Sequence, residues 1–313
     1  MLRLGAFGTG MVFERYARAA AQIPGIEIVA VCDLDPVRRG RAARFGSRVC
    51  ETEQELLAQP IDAVLVLTPN ATHRQLVKAC LEAGLPTLCE KPLATSAADA
   101  AQMAGWAEAL GVPLFPAFHL RHRPEIKYLS QQLGSPVAHF EQIWLEDWRD
   151  APAWYFQRAE SGGGVLIDVG TNLIDWIGQL VPPLRLVNVV ADTEAEVEHE
   201  CTAHWSFESG SGSTHLSWRG APEQRLSRVV TRSEQHFELL HDQRCVRHDG
   251  VLHGPWQADE YVGVLQEFRA HLQAPDPSCA RKAAADLELL AEAYLRLGLP
   301  SPGKLVPFTD QSP

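Results

Sequence analysis

Positive charge is in short supply along this chain. Its 28 lysines and arginines face 39 aspartates and glutamates, a formal net charge of -11. A general nucleic-acid binder needs a basic surface, and an anionic membrane attracts one, so neither partner is expected. No apolar run approaches the ~20 residues that a bilayer-spanning helix requires. The 7 cysteines (positions 32, 50, 80, 89, 201, 245 and 279) are scattered, odd in number and without CxxC spacing. Reduced thiols in a cytosol fit that pattern better than a disulfide or zinc framework. Among the 12 histidines there is no HExxH or comparable ligand array. His119 and His122 lie close in sequence, but Arg121 and Arg123 beside them repel a cation, so no metal is expected. The opening Met1-Leu2-Arg3-Leu4-Gly5 passes straight into a strand pattern with no room for a signal peptide, which makes the expected location cytoplasmic. Internal repeats, low-complexity linkers and long charge blocks are also missing.

What is present is the composition of an ordinary globular protein, 46% apolar and 21% charged. A chain of 313 residues is long for one core and points to two domains. Up to about residue 120, strand-like runs (2–7, 26–32, 63–67, 87–89, 112–118) alternate with helical patterns (12–22, 36–45, 53–58, 71–83, 97–110). Such alternation predicts a doubly wound parallel sheet covered on both faces, an α/β domain. Ligands of such sheets sit beyond the carboxyl ends of the strands, so the strand-to-helix turns matter most.

The first turn, Gly8-Thr9-Gly10, with Met11 and Val12 leading into a helix, suits a tight approach of a pyrophosphate to a helix N-terminus. Phe13 stands where the third small residue of that fingerprint would be. Asp33 closes the second strand, where a carboxylate accepts the ribose hydroxyls of NAD and repels a 2′-phosphate. Arg38 and Arg39 just downstream leave NADP open, and a plain helix-capping role for Asp33 is the simpler alternative. Thr68-Pro69-Asn70-Ala71-Thr72-His73 opens a later helix, with Asn70 and His73 facing a cofactor or merely capping. Glu90-Lys91-Pro92 follows the next strand, putting a lysine where a nicotinamide and a reacting carbon should meet.

Beyond His119-Leu120-Arg121, a short helix (125–132) leads to a long strand (137–148) carrying Phe140, Trp144, Glu146 and Trp148 on one face and Asp147 on the other. Gly162-Gly163-Gly164 then frees the backbone for close approach to a ligand. Leu166, Val169, Leu173, Trp176, Ile177 and Leu180 recur at helical spacing as a buried stripe. Asp168 and Asn172 stack one turn apart on another face of that helix, where a carboxylate and an amide suit chemistry on a polyol. Period-two runs follow (201–207, 213–218, 227–232, 235–240), with Gly210-Ser211-Gly212 expected as a turn, so the second domain reads as antiparallel hairpins. Two helices, around Tyr261–Leu272 and Leu287–Leu297, precede a proline-rich, loosely attached tail from Gly298.

Together, Gly8-x-Gly10, Asp33, Thr68-Pro69-Asn70-x-x-His73, Glu90-Lys91-Pro92 and the 162–175 segment resemble the Gfo/Idh/MocA family of NAD(P)-dependent oxidoreductases. The resemblance implies a Rossmann domain (1–120) and an α+β domain (121–313) with an open, mainly antiparallel sheet, the last helices packing back on the first domain. It implies Lys91 beside substrate and nicotinamide, cofactor contacts from Gly8, Thr9, Gly10, Met11, Val12, Asp33, Thr68, Pro69, Asn70, His73, Glu90 and Lys91, and a homodimer or homotetramer built through the second sheet.

In the common family pattern a histidine follows four residues after the aspartate and handles the carbinol proton. Here Asn172 stands there, and an amide orients a hydroxyl without taking its proton. Asp168, Lys91 and Glu146 are the remaining acceptors. Glu146-Asp147-x-Arg149, the glycine run and Asp168-x-Gly170-x-Asn172 resemble the aldose 1-dehydrogenases for L-arabinose and D-galactose. Lys91, Glu146, Asp168 and Asn172 would then line a pyranose site, with His119, Asp147 and Trp148 as further substrate contacts. The loop departs from that subgroup at Pro152, Gln157 and Ala159. The expected reaction moves a hydride from C1 of an aldose to NAD(P) and gives the aldonolactone. Oxidoreduction of another polyol or keto-sugar, and a non-redox nucleotide-binding role on the same fold, are the alternatives.

Overall fold

Short apolar runs alternating with helices give the first half a parallel sheet. In chain order come β1 (Leu2–Phe7), α1 (Phe13–Ala21), β2 (Ile26–Cys32), α2 (Pro36–Ala42), β3 (Arg48–Cys50), α3 (Glu53–Leu57), β4 (Ala63–Val66), α4 (Asn70–Glu82), β5 (Thr87–Glu90), α5 (Ala97–Leu110) and β6 (Leu114–Ala117). This computed structural model describes residues 1–192 and 195–299. The strands stand in the order β3-β2-β1-β4-β5-β6, so the winding direction reverses between β1 and β4 and opens a crevice at their carboxyl ends. β4, β5 and β6 are buried at every residue, which is why they read as unbroken apolar runs. Side chains mark three helix starts: Asp35 accepts from Val37 N, Thr52 from Glu55 N and Ser96 from Asp99 N. β3 was absent from the expected elements. Only its last residue is buried, so it carries no periodic signal.

The second half contains α6 (Pro124–Gln132), β7 (Val137–Asp147), α7 (Arg158–Ser161), α8 (Thr171–Leu180), β8 (Arg185–Ala191), β9 (Glu200–Phe207), β10 (Gly210–Ser217), β11 (Arg219–Thr231), β12 (His236–Leu240), β13 (Cys245–His248), β14 (Val251–His253), α9 (Glu260–Gln273) and α10 (Ser278–Arg296). Its sheet runs β14-β13-β12-β11-β7-β10-β9-β8, antiparallel except where β10 lies parallel to β7. The expected turn at Gly210-Ser211-Gly212 is corrected: these residues open β10, and Glu208-Ser209 makes the turn. The glycines serve β7 instead. A Cβ on Gly210 would sit 1.8 Å from the Ala138 carbonyl oxygen, and one on Gly212 would sit 2.4 Å from the Phe140 ring.

Two corrections concern the central segment. It begins with a π-helical turn, Leu166–Gly170, before α8. It is also buried on every side from Ser161 to Ile177, rather than amphipathic, because it lies between the two sheets' cores. The chain then returns to its start. α9 packs on α1 and β6, placing Tyr261, Val264, Leu265 and Phe268 in one core with Leu4, Phe13 and Tyr16. α10 lies along α5, β6 and β8. The tail expected to hang loosely from Gly298 lies, past Leu299, outside the described residues. Among the described residues, no helix is long and apolar enough to cross a membrane.

An ion network braces the central helix. Asp175 on α8 is fully buried and takes both forks of Arg121, with the Lys282 Nζ 3.3 Å away. Asp286, one turn after Lys282, has an Oδ2 that is buried without a partner. Its burial, and then the charge of Asp175, push this carboxyl up to about 7 against the pull of Lys282 and Arg121. A raised carboxyl binds its proton more tightly in the folded chain, so the associated stability is present at acid pH and is lost as pH rises from about 4 to about 7. Asp286→Asn should therefore raise stability at neutral pH by ~2 kcal/mol and flatten that decline. Chemical denaturation across this pH range checks it, and an unchanged slope would reject it.

Candidate active site

A cleft of about 1060 Å³ opens at the reversal point of the first sheet and continues under β7 and the central segment. At its nucleotide end, Gly8 has φ +84, and a Cβ there would meet the Leu67 carbonyl oxygen at 2.6 Å, so only glycine fits. Gly10 differs, for it borders the cleft and a Cβ placed on it meets nothing within 4 Å. No side chain caps α1, and the Gly10–Val12 segment that leads into it borders the cleft. Thr9 donates to Asp33 Oδ2 through its backbone N–H at 2.7 Å and its hydroxyl at 3.1 Å, and Asp35 N–H holds the other oxygen at 2.9 Å. That carboxylate is thus fixed at the end of β2. Arg39 donates to the Asp33 carbonyl, and Arg38, which borders the cleft, pairs with Asp35 at 3.4 Å. Phe13, in the place of a third small residue, is buried edge-on against Phe45.

These groups fit a dinucleotide: an open glycine, an uncapped helix start and an anchored ribose acceptor share one wall. Gly10→Ala should leave the thermal midpoint unchanged and weaken NAD binding about tenfold, equivalent to ~1.4 kcal/mol. Calorimetric titration with NADH checks it, and full-strength binding would count against this placement.

Met11, Val12, Thr68, Pro69 and Asn70 also border the cleft. Asn70 does so while its amide donates to the Ser161 carbonyl at 2.8 Å, tying the two domains together. His73 is corrected. It is fully buried and does not border the cleft, and its ring nitrogens lie 3.0 Å from the Pro92 carbonyl and 2.8 Å from that of Thr68. It joins two site turns instead of touching a cofactor.

At the inner end, Lys91 Nζ lies 2.5 Å from Asp168 Oδ1 and 3.1 Å from the Asp168 carbonyl oxygen. Burial alone would pull Lys91 toward the neutral amine. The charge and hydrogen bond of Asp168, with Glu90 and Glu146 behind them, outweigh it and hold the ammonium above its usual range. Among the described residues none donates to Asp168 Oδ2, and Asp168 borders the cleft. Glu90 accepts from the Tyr16 hydroxyl at 2.7 Å and from Lys91 N–H at 3.1 Å, and burial pushes its carboxyl up. Asn172 borders the cleft, and its buried Oδ1 has no partner among the described residues. His119, stacked on Tyr261 at 5.2 Å, is pushed well below its ordinary value by burial and then by the charge of Lys91, so its imidazole is neutral.

Glu146 and Trp148 line the opposite wall, with the Trp148 Nε1 donating to Glu146 Oε2 at 2.7 Å. Asp147 is corrected. Strand alternation turns it away from the cleft, where it holds Arg149 in a two-residue ion pair. The triple glycine is corrected as well. None of Gly162, Gly163 or Gly164 borders the cleft, and Cβ atoms there would strike Thr95, the Tyr294 hydroxyl and the Glu198 carbonyl. Their close approach is to the protein itself.

Two further lining side chains come from the run Trp154-Tyr155-Phe156, whose aromatic planes beside carboxylates suit a sugar. Tyr155 and Trp154 stack on one another at 3.8 Å, and Tyr155 meets Trp148 at 4.7 Å. Burial, then the charges of Asp168 and Glu90, push the Tyr155 phenol well above its usual range, which makes it a hydrogen-bond donor. Tyr261 arrives from the far end of the chain, and no local pattern announces it.

Residues 2–118 match the model of an oxidoreductase family with an NAD-binding Rossmann fold, and residues 130–240 match the Gfo/Idh/MocA C-terminal domain. The chain belongs to the Gfo/Idh/MocA family. Its NAD-binding domain is therefore that of the family, in keeping with the cleft described above. Among Gfo/Idh/MocA relatives, the rhizopine catabolism protein MocA of Rhizobium meliloti is 34% identical over 175 residues, 55% of either chain. Levoglucosan dehydrogenase of Pseudarthrobacter phenanthrenivorans is 28% identical over 61% of this chain and 54% of its own. D-glucoside 3-dehydrogenase of Escherichia coli is 27% identical over 71% of this chain and 66% of its own. The matches thus span about half the length of the first two relatives. Among solved structures, GenD2 from gentamicin A biosynthesis in complex with NAD superposes with a TM-score of 0.83 at 24% identity, covering 95% of this chain and 94% of that one. Levoglucosan dehydrogenase with NADH and levoglucosan gives 0.82 at 20% identity, covering 95% and 98%. At such identities the likeness speaks for the fold.

Proposed function

We propose that the protein is an NAD-dependent sugar dehydrogenase that oxidises an aldopyranose at C1 to the aldonolactone. The carrying observation is the Lys91–Asp168 pair beside the neutral amide of Asn172. A bound nicotinamide would supply the hydride acceptor for C1. The chain's own residues handle the proton and the geometry. Lys91 is held as an ammonium and cannot receive a proton, and Glu146 is engaged by Trp148 and Arg225. Asp168 Oδ2 remains as acceptor for the anomeric hydroxyl proton as the C1–O bond becomes a carbonyl. That hydroxyl is more acidic than an ordinary alcohol, so a carboxylate suffices where a histidine is lacking. Two of the ammonium's three donors meet Asp168, and the third is placed for the oxygen that gains negative charge. Asn172, Glu146, His119 and Tyr155 hold ring hydroxyls, and the Trp148–Tyr155 wall takes the apolar face of the ring.

Lys91 in the cleft and Arg225 behind its wall are each paired with a carboxylate, which supports a neutral sugar over a phosphorylated or acidic one. A second reading, oxidoreduction at another ring carbon or a keto group, draws support from relatives named D-glucoside 3-dehydrogenase and 1,5-anhydro-D-fructose reductase. Reduction of NAD and NADP by a panel of aldoses, polyols and sugar phosphates, followed by absorbance, tests the proposal. A lactone product supports C1, a keto-sugar product supports the second reading, and no turnover refutes both. The reading includes a homodimer or homotetramer joined through the second sheet, where β8 exposes Val187 and Val190. Seven free thiols, all but Cys279 buried, suit a reducing cytoplasm.

A further inference from the structure

Glu146 does not stand alone on its wall. Behind it, outside the cleft, the Arg225 Nε donates to Glu146 Oε1 at 2.8 Å, while Trp148 holds the other oxygen. Arg225 is anchored in turn: its Nη1 donates to Asp242 Oδ1 at 2.7 Å and its backbone N–H donates to Asp242 Oδ2 at 2.9 Å. Its guanidinium lies 5.9 Å from the Trp144 ring centre, and Trp144 itself borders the cleft. The local backbone accounts for this placement. β11 pairs regularly with β7 from Gln224 to Val230, but its register shifts between Arg219 and Gln224, so Arg225 falls opposite Trp144 and beside Glu146.

We infer that Arg225 is a positioning residue: it fixes the Glu146 carboxylate as a rigid acceptor for the sugar's hydroxyls without touching the sugar. Two fixed donors on Glu146 leave lone pairs of each oxygen free to accept from a ligand. The guanidinium also balances a wall that otherwise gathers Glu146, Asp168 and Glu90 around the single ammonium of Lys91. Burial disfavours the Arg225 charge, but the hydrogen bond of Asp242 and the charge of Glu146 outweigh it, so the guanidinium stays ionised. A group that orients the sugar equally before and during reaction acts on KM and leaves kcat alone.

This inference rests on the sugar-dehydrogenase reading, and its test separates the two. Wild-type turnover across the panel of aldoses and polyols reports on that reading. The ratio of variant to wild type, taken on whichever panel sugar is oxidised, reports on Arg225. Arg225→Met should raise KM for the sugar about tenfold or more, with kcat and the Kd for NADH nearly unchanged. Arg225→Lys, which keeps a cation beside Glu146 and Asp242 with fewer directed donors, should fall between the two and guards against a folding failure of the methionine variant. In a Glu146→Gln background the same substitutions should add little further loss, because the group they position is gone. Unchanged KM, a loss confined to kcat, or full additivity with Glu146→Gln would overturn the assignment. A panel without turnover would remove both readings.

Discussion

Lys91→Ala is expected to lower kcat by ~10²–10³-fold, the loss typical of a donor aimed at a developing oxyanion. NADH binding should be nearly intact, because the dinucleotide end of the cleft is built from the turns after β1, β2 and β4. The pairing with Asp168 sharpens this expectation. Removing the ammonium leaves Asp168 in a buried cleft without its partner, so its readiness as a proton acceptor changes together with the lost donor. Asp168→Asn should therefore cost about as much as Lys91→Ala, and the double variant should be little worse than either single one. Steady-state kinetics on the best panel sugar, with NADH titration alongside, checks all three variants. Undiminished turnover in Lys91→Ala would refute the assigned role, and strict additivity would show that the two groups act separately.

The second large effect concerns folding. Gly164→Ala should destabilise the protein by ~3 kcal/mol or more through overpacking and lost hydrogen bonds. The added Cβ would lie 1.8 Å from the Glu198 carbonyl oxygen and 2.8 Å from that residue's carbonyl carbon and nitrogen, all backbone atoms that cannot swing aside. Glu198 is itself buried, and its Oε1 accepts from Gly164 N–H at 2.9 Å, Leu166 N–H at 3.1 Å and the Tyr294 hydroxyl at 2.6 Å. Pushing it away disturbs the entry to the π-helical turn that presents Asp168. Thermal unfolding by circular dichroism, compared with Gly10→Ala, makes the contrast. A midpoint equal to wild type in Gly164→Ala would contradict the crowding described here.

The first domain was largely legible because its strands are short, apolar and punctuated by glycine, proline and capping residues. Strands β1 and β2 and helix α5 fall where their patterns begin and end. The cofactor wall was legible for the same reason: turns after strands are local events. What escaped was created by tertiary approach. Gly162–Gly164 look like a ligand cradle in one dimension, and only the folded chain brings Glu198, Tyr294 and Thr95 against them. His73 looks like a cofactor contact until its two carbonyl neighbours are seen. Period-two alternation placed Glu146 and Asp147 on opposite faces, but the residue types alone suggested both as sugar contacts. Arg225 is positioned by a register shift that no periodicity encodes. Tyr261 reaches the cleft only because α9 returns to pack on α1.

That return has a bearing on how the chain is made. The core that Leu4 of β1 forms with Phe13 and Tyr16 of α1 is completed by Tyr261, Val264, Leu265 and Phe268, and α10 lies along α5 and β6. A chain emerging from the ribosome amino end first therefore carries an unsealed nucleotide-binding layer until α9 and α10 have been synthesised. The apolar patch stays exposed through that interval and is a natural place for a chaperone to bind. Loss of the last two helices would thus be felt first at the amino-terminal domain, more than a hundred residues away in sequence.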